Sequence, residues 1–155
     1  VILITGASPG SLGAVFSQIV AEHSPARLIL AGHNTERTQE TAQSITDSTG
    51  VQVKTLTLKL DSLKDVREAA DKVNAWDDVP QIDVVVNNAG IMAVPFQLTE
   101  DGIERQFATN LLGHFLFTNL ILGKVLKAKA PRVINVSSNG HRFSSVRFDY
   151  NFQVG

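Results

Sequence analysis

Hydrophobic positions along the chain follow two alternating rhythms. Short, nearly unbroken apolar runs are separated by longer stretches in which apolar residues recur every three or four positions. The first rhythm suits strands buried on both faces, the second helices with one inward stripe. Val1 to Thr5 reads as the first strand, and the helix after it runs to about His23, where Ser24-Pro25 breaks it. Arg27 to Ala31 reads as the second strand. Asn34 then caps a helix whose inner face carries Thr38, Ala42 and Ile45, with Gly50 just past its end. Val51 to Leu58, with some alternation, is the third strand.

Ser62-Leu63-Lys64-Asp65 has the pattern of a capping box, and Val66, Ala69, Ala70 and Val73 follow at helical spacing. Ile82 to Val86 is apolar at nearly every position and reads as the fourth strand, ending in Asn87-Asn88-Ala89-Gly90. A long helix is expected from near Thr99 to about Lys127, with Ile103, Phe107, Leu111, His114 and Phe115 on one side. Arg132 to Val136 is the fifth strand. Strict alternation of strand and helix predicts an α/β fold, a doubly wound parallel sheet in the order 3-2-1-4-5 that binds ligands at the carboxyl ends of its strands.

Composition narrows the partners. With 155 residues, 43% hydrophobic and 19% charged, the chain has the make-up of a single soluble globular domain. A net charge of −1 removes the electrostatic reason to expect nucleic acid or an anionic membrane, so a small molecule is the expected partner. The absence of cysteine rules out disulfides and thiolate metal sites and fits a reducing compartment. No histidine pair has metal-ligand spacing with a carboxylate, so no metal is expected. No apolar run approaches the ~20 residues of a membrane span; a cytoplasmic location is the expectation. Val1 already sits inside a strand pattern, and Gln153-Val154-Gly155 closes no element, so the single domain is expected to be truncated at both ends.

The segment Thr5 to Gly13, TGASPGSLG, joins the first strand to the first helix. Such a junction presents unpaired backbone N–H groups and a positive dipole end to an anion. In a dinucleotide site of Rossmann type, Gly6 permits the sharp turn, Gly10 lets the backbone approach a pyrophosphate, and Gly13 lets the helix pack close to the sheet. Ser8 and Ser11 add hydroxyls, and Pro9 stiffens the loop.

This loop resembles that of the short-chain dehydrogenase/reductase family, whose pattern here is T-G-x-x-x-G-x-G. Thr5, Gly6 and Gly10 match, while Gly13 arrives one residue late, with Ser11-Leu12 in place of a single residue. Asn87-Asn88-Ala89-Gly90 matches the family's N-N-A-G, Asn110 its mid-helix asparagine, and Ser137-Ser138 its strand ending in two serines. The resemblance implies that Gly6, Ser8, Gly10, Leu12 and Gly13, with Asn88, Ala89 and Gly90, contact a nicotinamide dinucleotide. It further implies that Asn110 opens the long helix locally and supports a proton relay, and that Ser138 bonds the substrate oxygen. Asp61 is a candidate for the adenine amino group, although alignment on Val66 puts Lys59 there instead. At the end of the second strand, Ala31-Gly32-His33-Asn34 offers no carboxylate to accept from a ribose hydroxyl, and Arg37 lies a turn further, which favours NADP(H) over NAD(H). His33 stands where related members commonly carry arginine, and a mostly neutral imidazole is a weaker phosphate ligand.

The family's acid/base is a tyrosine with a lysine four positions on, the ammonium lowering the phenol's pKa. The only tyrosine here is Tyr150, and position 154 is Val154, so this sequence contains no such pair. The stretch VRFDYNFQ around Tyr150 resembles a loop of the retinol dehydrogenase branch. The implied function is an NAD(P)(H)-dependent oxidoreductase interconverting an alcohol and a carbonyl, homo-oligomeric at full length, with this fragment alone inactive. A non-catalytic dinucleotide-binding or scaffold module is the alternative. A Rossmann-like methyltransferase ranks last, since it explains the glycine loop but leaves the other motifs as coincidences.

Overall fold

The computed structural model describes residues 1–142. Its strands are β1 (Ile2–Thr5), β2 (Leu28–Gly32), β3 (Val53–Thr57), β4 (Val84–Asn87) and β5 (Arg132–Asn135). All pair in parallel, in the order β3-β2-β1-β4-β5 that the alternation predicts. Helices α1 (Leu12–Ala21), α2 (Thr35–Thr49) and α3 (Leu63–Ala75) form the crossovers. Successive strand residues point to opposite faces and divide the core in two. Leu3, Ile29 and Val85 pack with Val66 and Val73 of α3, while Ile4, Leu30 and Val86 pack with Ala42 and Ile45 of α2. β5 pairs only with β4 among the described residues and leaves Val133, Ile134 and Val136 partly exposed.

Local stops hold each helix in place. Asn34 Oδ1 accepts from Arg37 N–H at 2.9 Å, and Gly50 closes α2 with φ +74°. Ser62 Oγ accepts from Asp65 N–H at 3.2 Å, while the Ser62 N–H donates to the Lys59 carbonyl at 3.4 Å, so the backbone rather than a second side chain serves that amide.

The expected long helix is not continuous and starts later than Thr99. Residues 99–103 form a turn, with Thr99 N–H on the Ile103 carbonyl and Gly102 at φ +72°. Glu104 then caps α4 (Arg105–Phe107), accepting from Gln106 and Phe107 N–H. A π-helical turn over Ala108–Leu112 leads into α5 (Gly113–Leu120) and α6 (Leu122–Val125). The wider turn adds a residue and rotates the helix face. Ala108, His114, Phe117 and Ile121 are buried, whereas Leu111 and Phe115 are 53% and 67% exposed. The stripe read from the sequence therefore points outward at those two positions.

One buried cation staples this helix to the end of α3. Lys124 Nζ donates to the carbonyls of Trp76 and Val79 at 2.5 and 2.6 Å, and the Lys124 carbonyl accepts from Ile82 N–H. Lys124→Met keeps the apolar stem but leaves the Val79 carbonyl without its ammonium donor and the Trp76 carbonyl with only the Val79 N–H at 3.3 Å. A loss of about 1–3 kcal/mol is expected in urea unfolding, the cost of leaving a buried acceptor unsatisfied.

Candidate cofactor site

The loop after β1 is built by close contact. Gly6 takes φ +74°, its N–H donates to the Ala31 carbonyl at 2.7 Å, and a Cβ on it would lie 2.7 Å from Ala89 Cα. The extra residue of the loop is absorbed at the start of α1. Ser11 becomes the N-cap, its Oγ accepting from Ala14 N–H at 3.1 Å and donating to the Gly6 carbonyl at 2.9 Å. A Cβ on Gly13 would collide with that same carbonyl and lie 2.5 Å from Asn88 Nδ2, so Gly13 sets how closely α1 meets the sheet.

The segment after β4 is pinned to β1. Thr5 Oγ1 accepts from the Asn88 and Ala89 amides at 3.0 and 2.9 Å, and Asn88 Nδ2 donates to the Thr5 carbonyl at 2.8 Å. Asn87 faces the other way, its Nδ2 donating to Asn135 Oδ1 at 2.9 Å and Thr118 Oγ1 at 3.1 Å, and so joins β4 to β5 and α5. Asn110 lies in the π-turn behind Gly90. Its Oδ1 accepts from Ile91 N–H and its Nδ2 donates to the Ile91 carbonyl, both at 2.9 Å.

These contacts leave a cavity of about 660 Å³ across the carboxyl ends of β1 to β4, within the roughly 300–1,000 Å³ of small-molecule sites. Gly6, Ser8 and Leu12 line it from the loop, and His33 from the end of β2. Asp61 and Lys59, the two alternatives after β3, both line it, as do Asn88, Ala89 and Gly90 after β4. Gly10, with φ +79° and open space where a Cβ would stand, is not in the lining. Neither are Gly13 and Asn110, which back it, Gly13 through its packing on Gly6 and Asn88 and Asn110 through its hydrogen bonds to Ile91. Ser138 is not in the lining: it is exposed beyond β5, its Oγ accepting from Gly140 N–H at 3.1 Å and its carbonyl from His141 Nδ1–H at 2.7 Å.

The donor set suits a diphosphate. Ser11 Oγ serves the Ala14 amide and the Ser11 carbonyl serves Val15, so among the described residues the Leu12 and Gly13 amides have no hydrogen-bond acceptor at the positive end of α1. Near His33, the Arg37 guanidinium donates to the Pro9 carbonyl at 3.1 Å and stands over the loop.

Three partners of the site escape a reading of the sequence. Arg105 Nε reaches Asp61 at 3.1 Å across 44 positions, so that carboxylate already has a cationic partner. A Cβ on Gly113 would strike the Leu60 carbonyl and lie 2.9 Å from Leu60 Cβ, which makes that glycine the reason α5 sits against the strand-end loop. His114 is hydrogen-bonded to Thr5 beneath the cavity. A histidine in an otherwise apolar helical segment is the one local hint of it.

The family model described as short chain dehydrogenase matches residues 1–149. The chain belongs to the short-chain dehydrogenase family. It is 41% identical over 150 residues to retinol dehydrogenase 13 of Homo sapiens, covering 96% of this chain and 44% of that protein. Short-chain dehydrogenase TIC 32 A, chloroplastic, of Brassica napus is 36% identical, with 96% of this chain and 48% of that protein covered. The chain thus spans about half the length of the curated relatives it matches. Among solved structures, the oxidoreductase yciK from E. coli superposes with a TM-score of 0.76 at 27% identity, over 91% of this chain and 58% of that one. The alcohol dehydrogenase from the archaeon Thermococcus sibiricus complexed with 5-hydroxy-NADP gives a TM-score of 0.70 at 27% identity, over 85% and 56%. The similarity to retinol dehydrogenases agrees with the branch suggested by the stretch around Tyr150, which itself lies outside the described residues. No helix among the described residues is long and apolar enough to cross a membrane.

Proposed function

We propose that the protein containing this chain is an NADP(H)-preferring oxidoreductase that interconverts an alcohol and a carbonyl by hydride transfer, and that this chain supplies its dinucleotide-binding part. The observation that carries the reading is the cavity in which the glycine loop and the Asn88–Gly90 segment meet across β1, the latter held by the Thr5 hydroxyl. When bound, the nicotinamide ring supplies or accepts the hydride. The chain's own residues bind and orient. The Leu12 and Gly13 amides and the dipole of α1 hold the diphosphate, and the small residues Ala89 and Gly90 let a flat ligand lie against backbone. Ser138 orients the substrate oxygen and Asn110 supports the relay, while proton transfer falls to a Tyr-Lys pair that this sequence does not contain.

The preference for NADP(H) rests on charge. No carboxylate stands at Ala31 to Asn34 to repel a 2′-phosphate, and Arg37 is close enough to the loop to pair with one. Calorimetric titration of the full-length protein is expected to give tighter binding of NADPH than of NADH. Arg37→Ala is expected to weaken NADPH about tenfold, the low end for one charge-assisted hydrogen bond, and to leave NADH unchanged. Binding of neither nucleotide would sink the assignment.

A further inference from the structure

Thr5 and His114 form a buried polar pair beneath the cavity, 1% and 5% exposed, in which donors and acceptors can be counted. A threonine oxygen has two lone pairs and one hydrogen. The Asn88 and Ala89 amides occupy the lone pairs of Thr5 Oγ1 at 3.0 and 2.9 Å. Two acceptors lie within reach of its hydrogen, the Val86 carbonyl at 3.5 Å and His114 Nε2 at 2.9 Å, and the nearer takes it. No lone pair remains for a proton on Nε2. The imidazole proton therefore sits on Nδ1, which faces the Asn110 carbonyl at 3.4 Å, an oxygen that can only accept.

Thr5 and Asn110 clamp the segment from Asn88 to Ile91 at its two ends. Thr5 holds Asn88 and Ala89, and the Asn110 carboxamide holds the N–H and carbonyl of Ile91. His114 touches both clamps. We propose that His114 is a positioning residue: as the neutral Nδ1–H tautomer it ties the end of β1 to the π-turn and so keeps the Asn88–Ile91 wall of the cavity in place. The consequence for ligand affinity rests on the dinucleotide reading above; the tautomer and the rigidity of the wall do not.

Protonation undoes the arrangement. An Nε2–H would point at an oxygen whose lone pairs are filled, so the Thr5 hydroxyl would have to give up a backbone amide. Burial lowers the pKa of His114 below its ordinary value, opposed by the hydrogen bond to the Asn110 carbonyl. Thr5 meets the ring from β1, and α3 turns Val66, Ala69, Ala70 and Val73 towards the core. The charged side chains of α3 do not reach it: Lys64, Arg67, Glu68, Asp71 and Lys72 are exposed, and Asp65 lies 3.7 Å from Lys59. Because the folded-state pKa is depressed, the neutral form is fully present above the ordinary histidine value, and stability is lost as pH falls from there towards the lowered one.

Nitrogen-15 NMR of the full-length protein, with His114 assigned by comparison with His114→Gln, is expected to show the Nδ1–H tautomer; the Nε2–H tautomer would overturn the proposal. In ligand-free protein, His114→Leu is expected to speed amide exchange at Asn88, Ala89 and Ile91 at least tenfold more than at the centre of α2. Uniform acceleration would mean general destabilisation instead and would count against a positioning role. NADPH affinity should fall about tenfold in His114→Leu and in Thr5→Val, and stay near wild type in Thr5→Ser. Between about pH 8 and pH 5 the ratio of wild-type to His114→Gln affinity should decline, since glutamine accepts without titrating. That ratio cancels the titration of the nucleotide's own phosphate, and one that rises as the pH falls rejects the proposal. If NADPH binds no form of the protein, the dinucleotide reading falls, and the tautomer and exchange data still decide the role of His114.

Discussion

Gly13→Ala is expected to weaken NADPH binding at least tenfold and to destabilise the fold by about 1–3 kcal/mol, the range for overpacking a tight contact. The added methyl would meet the Gly6 carbonyl and Asn88 Nδ2, neither of which can retreat alone. The Gly6 carbonyl accepts from Ser11 Oγ, and Asn88 Nδ2 donates to the Thr5 carbonyl. Relief therefore lifts α1 from the sheet and carries away the start of the helix, where Leu12 lines the cavity and the Leu12 and Gly13 amides have no acceptor among the described residues. Gly50→Ala supplies the control. It forces a residue into φ +74° in open space far from the cavity, so it should cost about 1 kcal/mol in thermal unfolding and leave affinity untouched. Calorimetry on both variants separates a local effect on the loop from loss of stability. Wild-type affinity in Gly13→Ala would refute the loop's assigned role.

Phe117→Ala is expected to cost about 3–5 kcal/mol in urea unfolding, because it removes the largest fully buried side chain of the core and leaves a cavity. Against the 5–15 kcal/mol typical of a whole domain, that loss is severe. Phe115→Ala, two positions away and 67% exposed, should cost well under half as much. The pair tests the π-turn directly. A straight helix with Phe107, Leu111 and Phe115 inward would reverse the order of the two losses.

Much of the fold was legible because its signals are local. Apolar runs marked the buried strands, and Asn34, Gly50 and Ser62 marked helix ends through hydrogen bonds that span four residues or fewer. The glycine loop and Asn87 to Gly90 could be assigned to one site for a related reason. In a doubly wound sheet, every strand's carboxyl end lies on the same edge, so motifs at the ends of β1 and β4 meet whatever lies between them. A local opening of the helix at Asn110 was implied by the family resemblance alone and falls in the π-turn; the late start of the helix and the turn of its inward face were not legible. Its apolar residues suit a continuous pattern, and only the turn at Gly102 and the added residue of the π-turn decide which of them face inward.

By itself, then, the sequence determined the alternation of elements, the order of the sheet, the edge at which its motifs gather and the residues that form the glycine loop after β1, since each follows from periodicity, caps or backbone freedom within a few positions and from the way such alternation winds a sheet. Tertiary structure alone decided that Arg105 neutralises Asp61, that Gly113 seats α5 on Leu60, and that the hydroxyl of Thr5 ends on His114. Those partners are 44, 53 and 109 positions apart. Nothing in a local pattern states which side chains two packed elements will bring within 3 Å, because that depends on the rotation and height of each helix over the sheet.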